Sequence, residues 1–513
     1  MSARSLMVLG TASNAGKSLT VAALCRIFAD DGYDVAPFKA QNMSLNAAVT
    51  LDGREVGRAQ AVQAECARRP LEVEMNPILL KPSGDRRSQV VLEGRVWDDV
   101  DAWEYHRRRT DELFPLVVAA YERLAARCEL IVLEGAGSPA EINLKDRDIV
   151  NLRMAAAAGA PCLLIADIDR GGAFAALAGT LALLEPHERA QIRAFAITKF
   201  RGDEALLAPG LRALEARLGI PCVGVVPWID AIGIEEEDGY LVPPQLRRWP
   251  DDAGPRRRLR FAVVEYPHVA NSTDFDALAS EPEVALRRVT SPGELDGADV
   301  VILPGSKETV SDLQWLRSRG LDAAIVAHAR MRPLLGICGG MQMLGESIDD
   351  PAAAEGGGSA CGLGLLPLAT TLATRKTTLR VSAQIAGAAF AGRPLGVTQF
   401  DGYEIHLGAT ARRGAAPFAL VRDASGDVRA DGAVSADGLV SGTYVHGLFD
   451  DDAFRAAALA SLRQRCGLAP AQRVHPWRAE REARYDRLAS IVRASLDIPF
   501  LTQLAGLAPR VPA

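Results

Sequence analysis

A chain of 513 residues is longer than one hydrophobic core usually holds, so roughly two to four domains are expected, and an apolar content of 48% is ample to pack them. Its formal charge of −6 and pI near 5.8 give nucleic acid no electrostatic foothold, and no basic stretch is interleaved with aromatics. Eight widely spaced cysteines without a Cys-x-x-Cys pair fit neither a disulfide framework nor a zinc site, which points to a reducing cytoplasm. The longest apolar run, Met154 to Ala166, has 13 residues, contains Gly159 and Pro161, and is too short to span a bilayer. Met1-Ser2-Ala3-Arg4 leads straight into a strand, leaving no room for a signal peptide.

The first element is the buried-strand run Leu6-Met7-Val8-Leu9, followed by Gly10-Thr11-Ala12-Ser13-Asn14-Ala15-Gly16-Lys17-Ser18 and a helical pattern through Ala29. Strand, glycine-rich loop and helix make a phosphate cradle. Backbone N–H groups at Gly16, Lys17 and Ser18 meet phosphate at the helix N-terminus, Lys17 reaches its outer oxygens, and the Ser18 hydroxyl holds Mg²⁺. ATP and Mg²⁺ are therefore the expected cofactors, against the alternative of a glycine-rich turn that binds no nucleotide. Five residues rather than four separate Gly10 from Gly16, a form similar to the dethiobiotin synthetase branch of phosphate-loop enzymes, which phosphorylate a carboxylate or carbamate. On that resemblance Thr11, Asn14 and Ala15 join Gly16, Lys17 and Ser18 as nucleotide contacts.

Val35-Ala36-Pro37-Phe38 is the next strand and delivers Lys39 to the edge where parallel sheets bind ligand. The resemblance places Lys39 at the reacting phosphoryl group; a solvated loop lysine is the other reading. Leu130-Ile131-Val132-Leu133 ends on Glu134, where phosphate-loop enzymes carry a second Mg²⁺ contact. The polar loop after it puts forward Asp146 and Asp148 as substrate-facing residues, unless it is simply a solvated surface. Strands ending at Ala166, Thr198 and Val226 alternate with helical stretches, which predicts parallel βα units. Lys199 stands where related enzymes bring Asn-Lys against the nucleotide base, but here Thr198 precedes it, so base selectivity stays open. The proline- and arginine-rich stretch from Val242 to Arg260 reads as a connector.

Phe261-Ala262-Val263-Val264 opens a second α/β domain, and Asn271-Ser272-Thr273-Asp274 reads as the cap of a short helix. Pro333-Leu334-Leu335-Gly336-Ile337-Cys338-Gly339-Gly340-Met341 predicts a strand, a sharp turn and a helix, with the thiol of Cys338 at the strained corner. His446, where a β-rich run ends in Gly447, is the expected base. The turn after Val300-Val301-Ile302-Leu303 supplies Gly305 and Ser306, which with the Gly339 amide form the candidate oxyanion hole. Helical, Arg- and Ala-rich sequence from Asp452 to Ser495 is expected to pack on this sheet.

Gly-Ile-Cys-Gly-Gly and Gly-Thr-Tyr-Val-His-Gly together resemble a class I glutamine amidotransferase site, in which Cys338 attacks the glutamine amide and His446 shuttles the proton. That family usually has Glu two residues after the histidine, and this chain has Leu448. The departure implies a Cys–His dyad with a less stabilised imidazolium, and leaves Glu404 or His406 next in line if His446 is not the base. Asp-Ile-Asp-Arg-Gly-Gly, Lys-Phe-Arg-Gly-Asp and Gly-Tyr-Glu-Ile-His extend the match along the chain, which resembles the cobyric acid synthase family.

The resemblance implies an α/β protein of two domains, a phosphate-loop synthetase over 1–242 and an amidotransferase over 261–513, joined by a linker at 243–260. It implies ATP- and glutamine-dependent amidation of the b, d, e and g carboxylates of adenosylcobyrinic acid a,c-diamide to adenosylcobyric acid. The expected partners are these small molecules, with no nucleic acid and no membrane. A related ligase acting on cobyrinic acid or a cell-wall precursor stays open. So does a non-enzymatic partitioning ATPase, although such proteins carry an extra lysine early in the loop and have no use for a Cys–His pair.

Overall fold

Strand alternation fixes the two faces of the first sheet. In β1 (Arg4–Gly10), Leu6 and Val8 enter one core and Met7 and Leu9 another, and all four are fully buried, as befits a parallel strand covered on both sides. The computed structural model describes residues 3–83, 87–230, 232–234, 248–386, 392, 395, 399–471 and 475–510. Beside β1 lie β2 (Val35–Phe38), β3 (Leu130–Glu134), β4 (Cys162–Asp167), β5 (Ile192–Phe200) and β6 (Cys222–Pro227), in the order β6-β5-β4-β1-β3-β2 and all parallel. Parallel strands end at a common edge, so Gly10, Phe38, Glu134 and Asp167 arrive together although they are far apart in sequence. Helix α1 (Lys17–Asp30) covers one face with Val21, Leu24 and Phe28, while Val117, Tyr121 and Leu124 cover the other.

The chain divides into two compact units, one made of Met1–Ser44, Val56–Glu237 and Arg481–Ala513, the other of Leu45–Glu55 and Asp238–Glu480. In the second unit β7 (Leu259–Val264), β8 (Val284–Val289), β9 (Val300–Leu303), β10 (Leu334–Ile337), β11 (Ala433–Val434) and β12 (Val440–Thr443) form a sheet of order β8-β7-β9-β10-β12-β11. It is parallel except for β11. A separate, largely antiparallel sheet is built around Leu368–Ile385, which pairs with Gln399–Arg412 and Ala419–Asp423. Helix α2 (Gly339–Leu344) follows β10 directly.

These units divide the chain differently from the expected 1–242 and 261–513: the break falls at Glu237/Asp238, and two further segments change sides. Residues 45–55 belong to the second unit, and the C-terminal helices α3 (Trp477–Ser495) and α4 (Ile498–Leu504) return to the first from Arg481 onward. The physical reason for the return is apolar. Tyr485, Leu488, Val492, Leu496 and Leu501 share one buried cluster with Leu6, Val8 and Phe28, and Asp486 pairs with the nearly buried Arg26. The expected single helical tract from Asp452 to Ser495 is also two helices, the first ending at Arg465 before Gly467 turns with φ 66°. The proline-rich part of the expected connector, 243–247, lies outside the described residues.

Candidate active site

In the first unit, Gly16 adopts φ 95° at the start of α1, a left-handed conformation that a side chain would strain. Lys17 lies back along the loop, its Nζ donating to Ala12 O at 2.9 Å and Gly137 O at 3.0 Å; a Cβ on Gly10 would lie 2.9 Å from that nitrogen. The Thr11 amide donates to Ile165 O. Thr198 Oγ1 donates to Ala15 O at 2.8 Å, and Lys199 Nζ donates to Asn14 O and to Asp167 Oδ2 at 3.0 Å. Thr198 and Lys199 thus secure the loop's carbonyl oxygens.

Glu134, 1 % exposed, gathers the other expected residues: Ser18 Oγ donates to Oε1 at 2.8 Å and Lys39 Nζ to the same oxygen at 3.0 Å. Gln63, a residue that sequence reasoning missed, donates to Oε2. Burial alone would raise the Glu134 pKa, but the Lys39 charge and the hydrogen bonds from Gln63, Lys39 and Ser18 bring it below the ordinary carboxylate range. Asn151, also missed, braces the loop after Glu134 by bonding both the N–H and the C=O of Ala136. Asp146 is exposed, and Asp148 Oδ1 accepts from the amides of Val150 and Asn151, which makes it an organiser of its own turn.

In the second unit the corner at Cys338 has φ 53° and ψ −114°, the backbone strain expected of the sharp turn, and its thiol is buried. Tight packing of α2 explains the glycines around it. A Cβ on Gly340 would lie 2.0 Å from Leu303 O, and one on Gly339 2.8 Å from Ser306 N. Gly339, Gly305 and Ser306 are therefore adjacent, and a Cβ on Gly305 would lie 3.2 Å from His446 Cε1.

His446 is fully buried, and its Nδ1 lies 2.7 Å from Asp274 Oδ2 while Asp274 Oδ1 accepts from the Gly447 amide at 2.8 Å. The histidine thus has an acid partner, in correction of the dyad expected from Leu448, which lies in the hydrophobic core. Asn271-Ser272-Thr273-Asp274 is also corrected: the Asn271 side chain makes no cap, and the Asp274 carboxylate is spent on His446 and Gly447. Burial opposes the charged ring, but the Asp274 charge and hydrogen bond, helped by Cys338, push the His446 pKa up to about 10. Cys338 Sγ also lies 3.5 Å from Ile405 O. Glu404 and His406 serve elsewhere: Glu404 pairs with Arg429, and His406 approaches Glu404 at 3.4 Å and stacks on Tyr444.

Two more buried polar residues were missed in sequence, and the first of them holds the expected oxyanion turn. Asp312 is fully buried, accepting from Ser306 Oγ at 2.6 Å and facing His268 Nδ1 at 2.8 Å. Gln342, one turn after Cys338, donates to Leu407 O and Tyr444 OH. Neither has a sequence signal of its own beyond polarity inside apolar surroundings.

Residues 6–242 match the family model for the CobQ/CobB/MinD/ParA nucleotide binding domain, and residues 260–454 that for the CobB/CobQ-like glutamine amidotransferase domain. The chain is 50% identical to the cobyric acid synthase of Klebsiella pneumoniae, covering 96% of each chain, and 50% identical to that of Sorangium cellulosum, covering 99% of each. It is 48% identical to that of Salmonella heidelberg, over 96% of this chain and 97% of the relative. The chain belongs to the cobyric acid synthase family. Membership makes it a glutamine-dependent amidating ligase of cobalamin biosynthesis with a nucleotide-binding domain, and the family implies ATP use. Among the described residues no helix is long and apolar enough to cross a membrane.

Proposed function

We propose that this chain amidates the b, d, e and g carboxylates of adenosylcobyrinic acid a,c-diamide, with glutamine as nitrogen donor, to give adenosylcobyric acid. The observation that carries the reading is the coexistence in one chain of a strained thiol beside an Asp274–His446 pair and a phosphate loop beside a buried Glu134. In the glutaminase half, Asp274 holds the Nδ1–H tautomer of His446, leaving Nε2 to take the Cys338 proton. The thiolate then attacks the glutamine side-chain amide, and the Gly339 amide with the Gly305–Ser306 turn receives the developing oxyanion. The Nε2–H proton passes to the departing ammonia, and water hydrolyses the thioester with the same ring as base.

The first unit fits a nucleotide and a hard cation. Its loop is left-handed at Gly16, and the Lys39 ammonium already rests on the carboxylate a metal would share. Ser18 and Glu134 would hold Mg²⁺, and the loop from Thr11 to Ser18 the phosphates. When bound, ATP and Mg²⁺ supply the phosphoryl group that turns a carboxylate into an acyl phosphate and the charge that offsets its transfer. Lys39 keeps a fixed positive charge there, Lys199 shapes the loop near the base, and Asp148 orders the turn that presents Asp146 to the acceptor.

Mass spectrometry of the diamide incubated with the chain, ATP, Mg²⁺ and glutamine tests the reading. Successive replacement of carboxylic acids by amides is the expected outcome. Amidation of cobyrinic acid or a cell-wall precursor instead would reassign the acceptor, and ATP hydrolysis without covalent change would overturn the ligase.

A further inference from the structure

The thiol and the ring of the second unit each have a competing partner. Cys338 Sγ–H has Ile405 O within 3.5 Å, and His446 Nε2 has Asn271 Nδ2 at 3.3 Å. In the neutral form of the ring, with Nδ1–H directed to Asp274, Nε2 carries the lone pair that must receive the thiol proton, and the Asn271 amide donates into that same lone pair. The amide cannot turn its oxygen to the ring without losing a bond, because Oδ1 accepts from the Ala47 backbone N–H at 3.1 Å. Asn271 itself is held at φ 54°, a conformation Asn tolerates better than most residues.

The residues that set this orientation come from segment 45–55. Asn46 Oδ1 accepts from Ser272 N at 3.0 Å and from Ser272 Oγ at 3.2 Å, fixing the residue after Asn271. The rest of the segment is anchored on the long hairpin of the second unit: Arg380 Nε donates to Val49 O at 2.9 Å, and Lys376 pairs with the buried Glu55 at 2.6 Å. In sequence the segment begins six residues after Lys39, the lysine held by Glu134. We propose that Asn271, oriented by Asn46 and Ala47, is a positioning residue that holds His446 idle, and that displacement of segment 45–55 when the first unit is loaded frees Nε2 for the thiol.

On this inference, which rests on the proposed glutaminase, the S–H bond breaks and the Nε2–H bond forms only after the Asn271 amide withdraws. In the imidazolium state an Asn271 N–H would face Nε2–H, donor against donor, so the idle arrangement disfavours the thiolate–imidazolium pair.

The test measures glutamate release by the full chain with and without ATP plus acceptor, across pH. Asn271→Gly keeps the positive φ and removes the amide, and Asn46→Ala removes the acceptor that fixes Ser272. Loss of one competing hydrogen bond should raise acceptor-free glutamate release about tenfold in each, with the fully coupled rate within about twofold. Asn46→Asp keeps the acceptor and should match wild type. The acid limb of the acceptor-free pH profile should also move up in Asn271→Gly, because the ring holds its proton more tightly once the amide no longer donates to Nε2, a change that mere loosening of the fold does not produce. Slower acceptor-free release in Asn271→Gly, or equal behaviour of Asn46→Ala and Asn46→Asp, overturns the latch while wild-type glutaminase stands. No glutamate release by wild type even with ATP and acceptor overturns the glutaminase reading itself.

Discussion

Glu134 is 1 % exposed and Asp274 2 %, yet their partners differ in kind. Glu134 is met by an ammonium, a carboxamide and a hydroxyl, none of which gives up its proton near neutral pH. Asp274 is met by a backbone amide and an imidazole, and the imidazole titrates. The same buried group thus has fixed partners in one unit and a titrating partner in the other, and the donor decides which.

The largest effects should come from cutting each unit's chemistry separately. Cys338→Ser is expected to abolish glutamine-dependent amidation while ammonia-dependent amidation stays within about twofold; Lys17→Ala should abolish amidation from both nitrogen sources and spare glutamate release. Loss of both activities in Cys338→Ser would break the division. Asp274→Asn should lower glutaminase kcat/KM about 10³-fold by releasing the ring's tautomer, read against unchanged ammonia-dependent turnover. Glu134→Gln should cost about 10²-fold in ATP-driven amidation and shift its metal dependence; equal damage to glutaminase would make Glu134 a structural residue.

The smallest effect is on stability. The folded His446 pKa of about 10 lies above its ordinary 6.5, so the folded state binds that proton more tightly. The resulting stabilisation is complete below pH 6.5 and is lost as pH rises through about 10. Denaturant unfolding of wild type against Asp274→Asn should show a gap in favour of wild type at the acid end that shrinks at the alkaline end. A gap that does not change with pH would mean that the pair does not titrate together.

The phosphate loop was legible because backbone recognition is written locally: Gly10 to Ser18 is one run, and Glu134 ends one apolar strand. Cys338 and His446 were legible from glycines that only a tight corner needs. Asp274 was not, because its role depends on placing residues 274 and 446 side by side, and its own neighbourhood of Asn, Ser and Thr reads equally well as a helix cap. Gln63, Asp312 and Asn151 escaped for the same reason, since each acts through a partner distant in sequence. The C-terminal helices misled because a helix pattern reports an apolar face and not which sheet it will cover.

That the first unit closes with residues 481–510 bears on the order of synthesis. The ribosome makes β1 and α1 first, but Leu6, Val8, Val21 and Phe28 have to wait for Tyr485, Leu488 and Val492 before their shared core is complete. Until then the nascent nucleotide-binding part carries an uncovered oily surface, the sort that chaperones bind and that sticks to its own kind. A chain halted anywhere before the last helices therefore leaves this core unfinished, even if its amidotransferase part is already made. A stop codon near residue 480 would be expected to yield insoluble protein, whereas the same number of residues removed from a mere tail would pass unnoticed.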